Sequence, residues 1–72
     1  MNPDILKGRW HQVRGEVRKR WGKLTDDDVM AIEGHFEKMV GKLQERYGLK
    51  RDEAEKQINE FLHPSSHPRK TA

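Results

Sequence analysis

At 72 residues the chain has room for one small domain and none for a large enclosed active site, because small domains bury only a modest share of their surface. Charged residues make up 38% of it against 32% hydrophobic, with a mean hydropathy of −1.14, so one thin core and modest stability are expected. The lack of cysteine excludes a disulfide framework, a thiolate metal site and a cysteine nucleophile, and a net charge of +3 admits polyanionic partners without marking a dedicated binder.

The N-terminal Met1-Asn2-Pro3-Asp4 has neither the basic segment nor the apolar run of a secretory signal. No 18-residue apolar stretch spans a bilayer, so the expected location is the cytoplasm. Asn2 before Pro3 reads as an N-cap with proline in the first turn. Leu6, Trp10, Val13, Val17 and Trp21 then recur at helical spacing, predicting a first helix closed by Gly22. Thr25-Asp26-Asp27-Asp28 resembles a capping box, with carboxylates where the positive helix end favours them, and opens a second helix through Val29 and Ile32. Phe36, Met39, Val40, Leu43 and Tyr47 predict a third helix over roughly 35–47, ended by Gly48, which tolerates left-handed backbone. A fourth runs from Arg51 through Ala54, Ile58, Phe61 and Leu62 and stops before Pro64, because proline disfavours helical geometry in the residue ahead of it. Residues 63–72 are expected to form a flexible, disordered tail, leaving 1–62 as the helical domain.

Val29 to Tyr47 could form one continuous helix through Gly34, but an internal repeat argues for a break. A shift of 26 positions lays Gly8 on Gly34, Trp10 on Phe36, Val13 on Met39, Gly15 on Gly41 and Val17 on Leu43. It continues with Arg20 on Arg46, Trp21 on Tyr47, Gly22 on Gly48, Asp26 on Asp52 and Ile32 on Ile58. Each half reads as a longer helix, a glycine-closed turn and a shorter acid-capped helix. The predicted fold is all-α, with four short helices as two αα-hairpins packed across each other around the aromatic residues.

The glycines recur every seven residues within each half, at 8, 15, 22 and at 34, 41, 48. Gly22 and Gly48 read as helix ends, whereas Gly8, Gly15 and Gly41 fall inside helices, away from the apolar stripe. There each costs about 0.8–1 kcal/mol relative to alanine. They are either tolerated surface residues inherited through duplication or a bare backbone strip that a partner approaches closely.

Residues 1–24 carry seven Lys or Arg against two acids, and residues 25–34 carry four acids and no base. Helix dipoles account for Arg18, Lys19 and Arg20 at one helix end and Asp26 to Asp28 at the next helix start. Left over are Lys7, His11, Arg14 and Arg18, spaced i, i+4, i+7, i+11 along one flank of the first helix. Phosphate contact there could offset the like-charge cost, so these four are the candidate nucleic-acid or anion contacts.

The five aromatic residues sit on apolar stripes and are assigned to the core. His63 and His67 are four apart, but Pro64 precludes the helix that would join them as metal ligands, and Asp26 to Asp28 lack the spacing of a calcium loop. No nucleophile elbow, Walker sequence or H-E-x-x-H motif is present, so neither a catalytic residue, a cofactor nor a metal is assigned.

Taken together, Gly8-x-Trp10-x-x-Val13-x-Gly15-x-Val17, Trp21-Gly22-Lys23-Leu24-Thr25-Asp26-Asp27-Asp28, Ile32-Glu33-Gly34 and Met39-Val40-Gly41-Lys42-Leu43-Gln44-Glu45-Arg46-Tyr47-Gly48 resemble the CsbD-like family of bacterial stress-response proteins. The resemblance covers roughly residues 3–62. It implies a small bacterial cytoplasmic protein of general stress, with a SAM-like helical bundle, and supplies no mechanism or site residues; the tail from His63 to Ala72 departs from the family's usual ending. The expectation is therefore a non-enzymatic, hydrophilic helical module of the stress response. The alternatives are a nucleic-acid-associated module using Lys7, Arg14 and Arg18, and a protein-interaction module, including weak self-association of the basic first helix with the acidic start of the second in another copy.

Overall fold

The computed structural model describes residues 3–63, with only the backbone at Pro3, and among these the chain forms four helices and no strand. They are α1 (Pro3–Arg20), α2 (Asp26–Ile32), α3 (Phe36–Tyr47) and α4 (Arg51–Leu62). The expected Asn2 cap and the tail beyond His63 lie outside the described residues. No described helix is long and apolar enough to cross a membrane.

Local chemistry sets most of the boundaries. Proline occupies the first position of α1, where a missing N–H costs nothing. α1 ends at Arg20, two residues ahead of Gly22, and the chain turns there without a left-handed residue, Leu24 N donating to Trp21 O at 2.9 Å. α2 opens on a full capping box: Thr25 Oγ1 accepts from Asp28 N at 3.1 Å, and Asp28 Oδ2 accepts from Thr25 N at 3.0 Å. Two successive left-handed residues, Glu33 (φ 49°) and Gly34 (φ 79°), then separate α2 from α3, so the helix breaks where the repeat predicts. Gly48 (φ 67°) ends α3, its N–H reaching Gln44 O at 3.0 Å.

The repeat overstates the likeness of the halves. α1 and α2 have 18 and 7 residues, but α3 and α4 have 12 each, so the longer-then-shorter pattern belongs to the first half alone. Gly8 lies inside a continuous helix, whereas its counterpart Gly34 precedes a helix start. α2 is cut short by left-handed Glu33, while α4 runs on until Pro64 approaches.

α3 packs against each of the other helices. Around it Leu6, Val17, Leu24, Ile32, Met39, Val40, Leu43 and Ile58 are almost wholly buried, each worth about 1.5–3 kcal/mol of hydrophobic stabilisation. Of the aromatic residues, Trp21 and Phe36 are buried, while Trp10, Tyr47 and Phe61 are only partly covered. Trp21 Nε1 donates to Gln57 Oε1 at 2.9 Å, and its ring meets Phe61 edge-on at 5.2 Å with the Arg20 guanidinium over both rings.

Gly34 is where the backbone packs most tightly. A Cβ there would stand 2.9 Å from both Lys7 Cα and Trp10 Cβ, so the α2–α3 connection is pressed directly onto α1. By contrast, a Cβ at Gly8, Gly15 or Gly41 would meet nothing within 4 Å. Alanine at any of these three helical positions is therefore expected to raise stability by about 0.8–1 kcal/mol, read as a higher urea midpoint at unchanged slope. An unchanged or lower midpoint would show that the bare helix surface is needed for the fold.

Candidate functional site

Charge gathers in three places. The first is the flank of α1, where Lys7, His11 and Arg14 are exposed and none forms a hydrogen bond or ion pair with another described residue. Arg18, fourth of the expected row, differs. It is half-buried and its guanidinium binds Asp26 in the first turn of α2, which withdraws it from the row. The same pair joins within one chain two charges that the sequence offers for contact between copies. Trp10 shares the face, one turn from Lys7 and one from Arg14, and is half-buried against the core instead of enclosed in it.

The second is Asp28, which is buried. Arg46 donates to it twice, Nε to Oδ2 at 2.9 Å and Nη2 to Oδ1 at 3.0 Å; Lys42 Nζ lies 3.2 Å from Oδ1, and Thr25 N completes the set. These four donors fill the roughly four lone-pair sites of a carboxylate. The Arg46 hydrogen bonds, and after them the one from Thr25, hold its carboxyl far below the usual range against the opposing effect of burial. A carboxylate so saturated has no basicity to offer a substrate. It fastens the start of α2 to the later turns of α3, a tertiary role that the capping motif did not announce. The signal was present in Lys42 and Arg46, two cations four apart beside the apolar stripe of α3. A third ionic knot, Arg51 with Glu37 at 2.7 Å and Glu55 at 2.8 Å, ties α4 to the first turn of α3 at the surface.

No group of three His, Asp or Glu residues among those described could hold a metal ion, and His67 lies outside them. A shallow groove lined by Ala31, Lys38, Gly41, Lys42 and Glu45 runs between α2 and α3, open to solvent.

Comparison with known proteins gives one result throughout. The family described as CsbD-like matches residues 4–56. UPF0337 protein PA4738 of Pseudomonas aeruginosa is 52% identical over 61 residues, covering 85% of this chain and 94% of the relative. UPF0337 protein YjbJ of Escherichia coli K12 is 53% identical over 58 residues, 81% of this chain and 84% of the relative. UPF0337 protein ECA0631 of Pectobacterium atrosepticum is 46% identical over 61 residues, 85% and 88% of the two chains.

Proposed function

Since the chain belongs to the CsbD-like family, we propose that it is a bacterial stress-response protein that acts without catalysis, as a hydrophilic helical module in the cytoplasm. The observation that carries this reading is where the charge lies. The ionic groups nearest the core neutralise one another around Asp28, Arg51 is paired at the surface, and most of the remaining charge stands in water on all four helices. Met30 is the large hydrophobic side chain that is exposed among the described residues. Such a surface stays hydrated and resists sticking to unfolding neighbours, since it offers them little apolar area. Its action is spread over the surface, shielding other macromolecules during osmotic or drying stress.

The test is to dry and rehydrate a labile enzyme beside this protein and beside an equal mass of an inert globular protein. Retained enzyme activity several-fold above the inert control is expected; equal retention would overturn the reading.

A further inference from the structure

The protective reading leaves one surface unexplained. Lys7, His11 and Arg14 form no ion pair with another described residue; exposed Arg9, Lys19, Lys38 and Lys56 form none either, but the first three stand in a row on one face of α1 beside Trp10. Lys7 and Arg14 stand two turns apart on one face of α1 with the imidazole of His11 between them, an arrangement that suits an anionic ligand. Asp4, one turn before Lys7, bounds the row at its N-terminal end.

We propose that the face of α1 bearing Lys7, Trp10, His11 and Arg14 binds single-stranded nucleic acid. Trp10 lends the row its chemistry. Unlike Trp21, which is buried with its N–H bonded to Gln57, Trp10 is half-exposed and has no hydrogen-bond partner among the described residues. A partly exposed indole beside cations is the pairing by which single strands are held, a base stacking on the open part of the ring while the cations take the phosphates. Gly34 fixes the base of that side chain, its backbone lying where a Cβ would be 2.9 Å from Trp10 Cβ and 3.2 Å from Cγ, so the platform is positioned before any ligand arrives. On the other edge of the row Gly8 and Gly15 carry no side chain and border open space, which lets a sugar–phosphate backbone come close.

Length fits as well. From Lys7 to Arg14 the helix rises about 10 Å at ~1.5 Å per residue. Lys7 and Arg14 thus stand far enough apart to meet different phosphates of one strand. A duplex hides the faces of its bases in the stack and offers Trp10 nothing to cover, so the single strand, DNA or RNA, is the fitting ligand. The inference is independent of the protective reading, because the drying assay does not involve this face specifically.

The experiment titrates the full chain with labelled oligo-dT and oligo-U of about 15 nucleotides, a duplex of the same length, and polyphosphate of matched charge. Two to three phosphate contacts predict that binding to the single strands weakens about 7- to 20-fold between about 50 and 200 mM salt. The intrinsic tryptophan emission should be quenched on binding, since Trp10 is the indole within reach. Lys7→Glu with Arg14→Glu should weaken binding more than about tenfold, while Lys38→Glu with Lys56→Glu, the same change in net charge elsewhere, should leave it within about twofold. Trp10→Leu should cost at least about fivefold on oligo-dT and nothing on polyphosphate. If that variant does not fold, the quenching of the unaltered protein decides the role of Trp10. Lack of binding at low salt, absence of quenching, or duplex or polyphosphate bound as tightly as the single strands would each overturn the proposal. A preference between oligo-dT and oligo-U would tell DNA from RNA.

Discussion

Gly34→Ala is expected to leave most of the protein unfolded at room temperature. Two independent costs meet at this position. Its backbone is left-handed, which costs a residue with a Cβ about 1–2 kcal/mol. The added methyl would also stand 2.9 Å from Lys7 Cα and Trp10 Cβ, atoms fixed to the α1 backbone that cannot rotate away, so helix and loop must separate at a further cost of about 1–3 kcal/mol. A domain of this size rarely has more than about 3–5 kcal/mol to lose. Circular dichroism would show the loss of helix directly. A variant that kept its native helicity and urea midpoint would mean that the loop does not rest on α1 as described. The contrast with Gly8, Gly15 and Gly41 sharpens the test, because the same substitution is expected to act in the opposite direction there.

Asp28→Ala is expected to destabilise the fold by about 1–3 kcal/mol, since it removes the buried acceptor of the cap and of Arg46 and Lys42, whose charged heads lie partly in water and recover some of the loss by hydration. Arg46, Lys42 and the Thr25 N–H would all lose their acceptor. Replacing Asp28 by Leu together with Arg46 by Met should recover much of the loss, as packed apolar side chains can stand in for a buried ion pair. A double variant no better than Asp28→Ala would show that the cluster contributes through something other than its charges. Acid should act through the same residue. Above the carboxyl's ordinary value of 3.8, Asp28 is ionised in both states and its contribution is complete. As pH falls below that, the unfolded chain takes up a proton that the folded one, with its depressed carboxyl, refuses. Stability then declines by up to about 1.4 kcal/mol per pH unit from this group. Asp28→Asn should flatten that part of the acid-unfolding curve; an unchanged slope would assign the acid sensitivity to other carboxyls.

The helix boundaries were legible because short-range chemistry sets them. Thr25 with Asp28, Gly48, and Pro64 downstream each act within a turn of themselves, and the repeat located the break at Gly34. What the sequence could not display was where chain segments meet. Asp28 reads as a cap because its bond to Thr25 is local, while its bonds to Lys42 and Arg46 depend on how α2 lies across α3. Arg18 reads as part of a cationic row because Asp26 lies beyond a turn that the spacing does not describe. Trp10 belongs to the apolar stripe of α1, yet it is only partly buried against the core, because burial depends on what packs over the stripe and not on its spacing.

The two halves also hold each other's ends. Trp21, where the first half's long helix stops, is bonded to Gln57 in the second half, and Arg46, near the end of α3, clamps Asp28 in the first. The buried apolar side chains form one cluster drawn from both. Neither half has a finished interior without the other, so the molecule is expected to come apart as a single cooperative event. A half-melted form, with one half intact and the other offered to proteases or to aggregation, would keep little of this shared core.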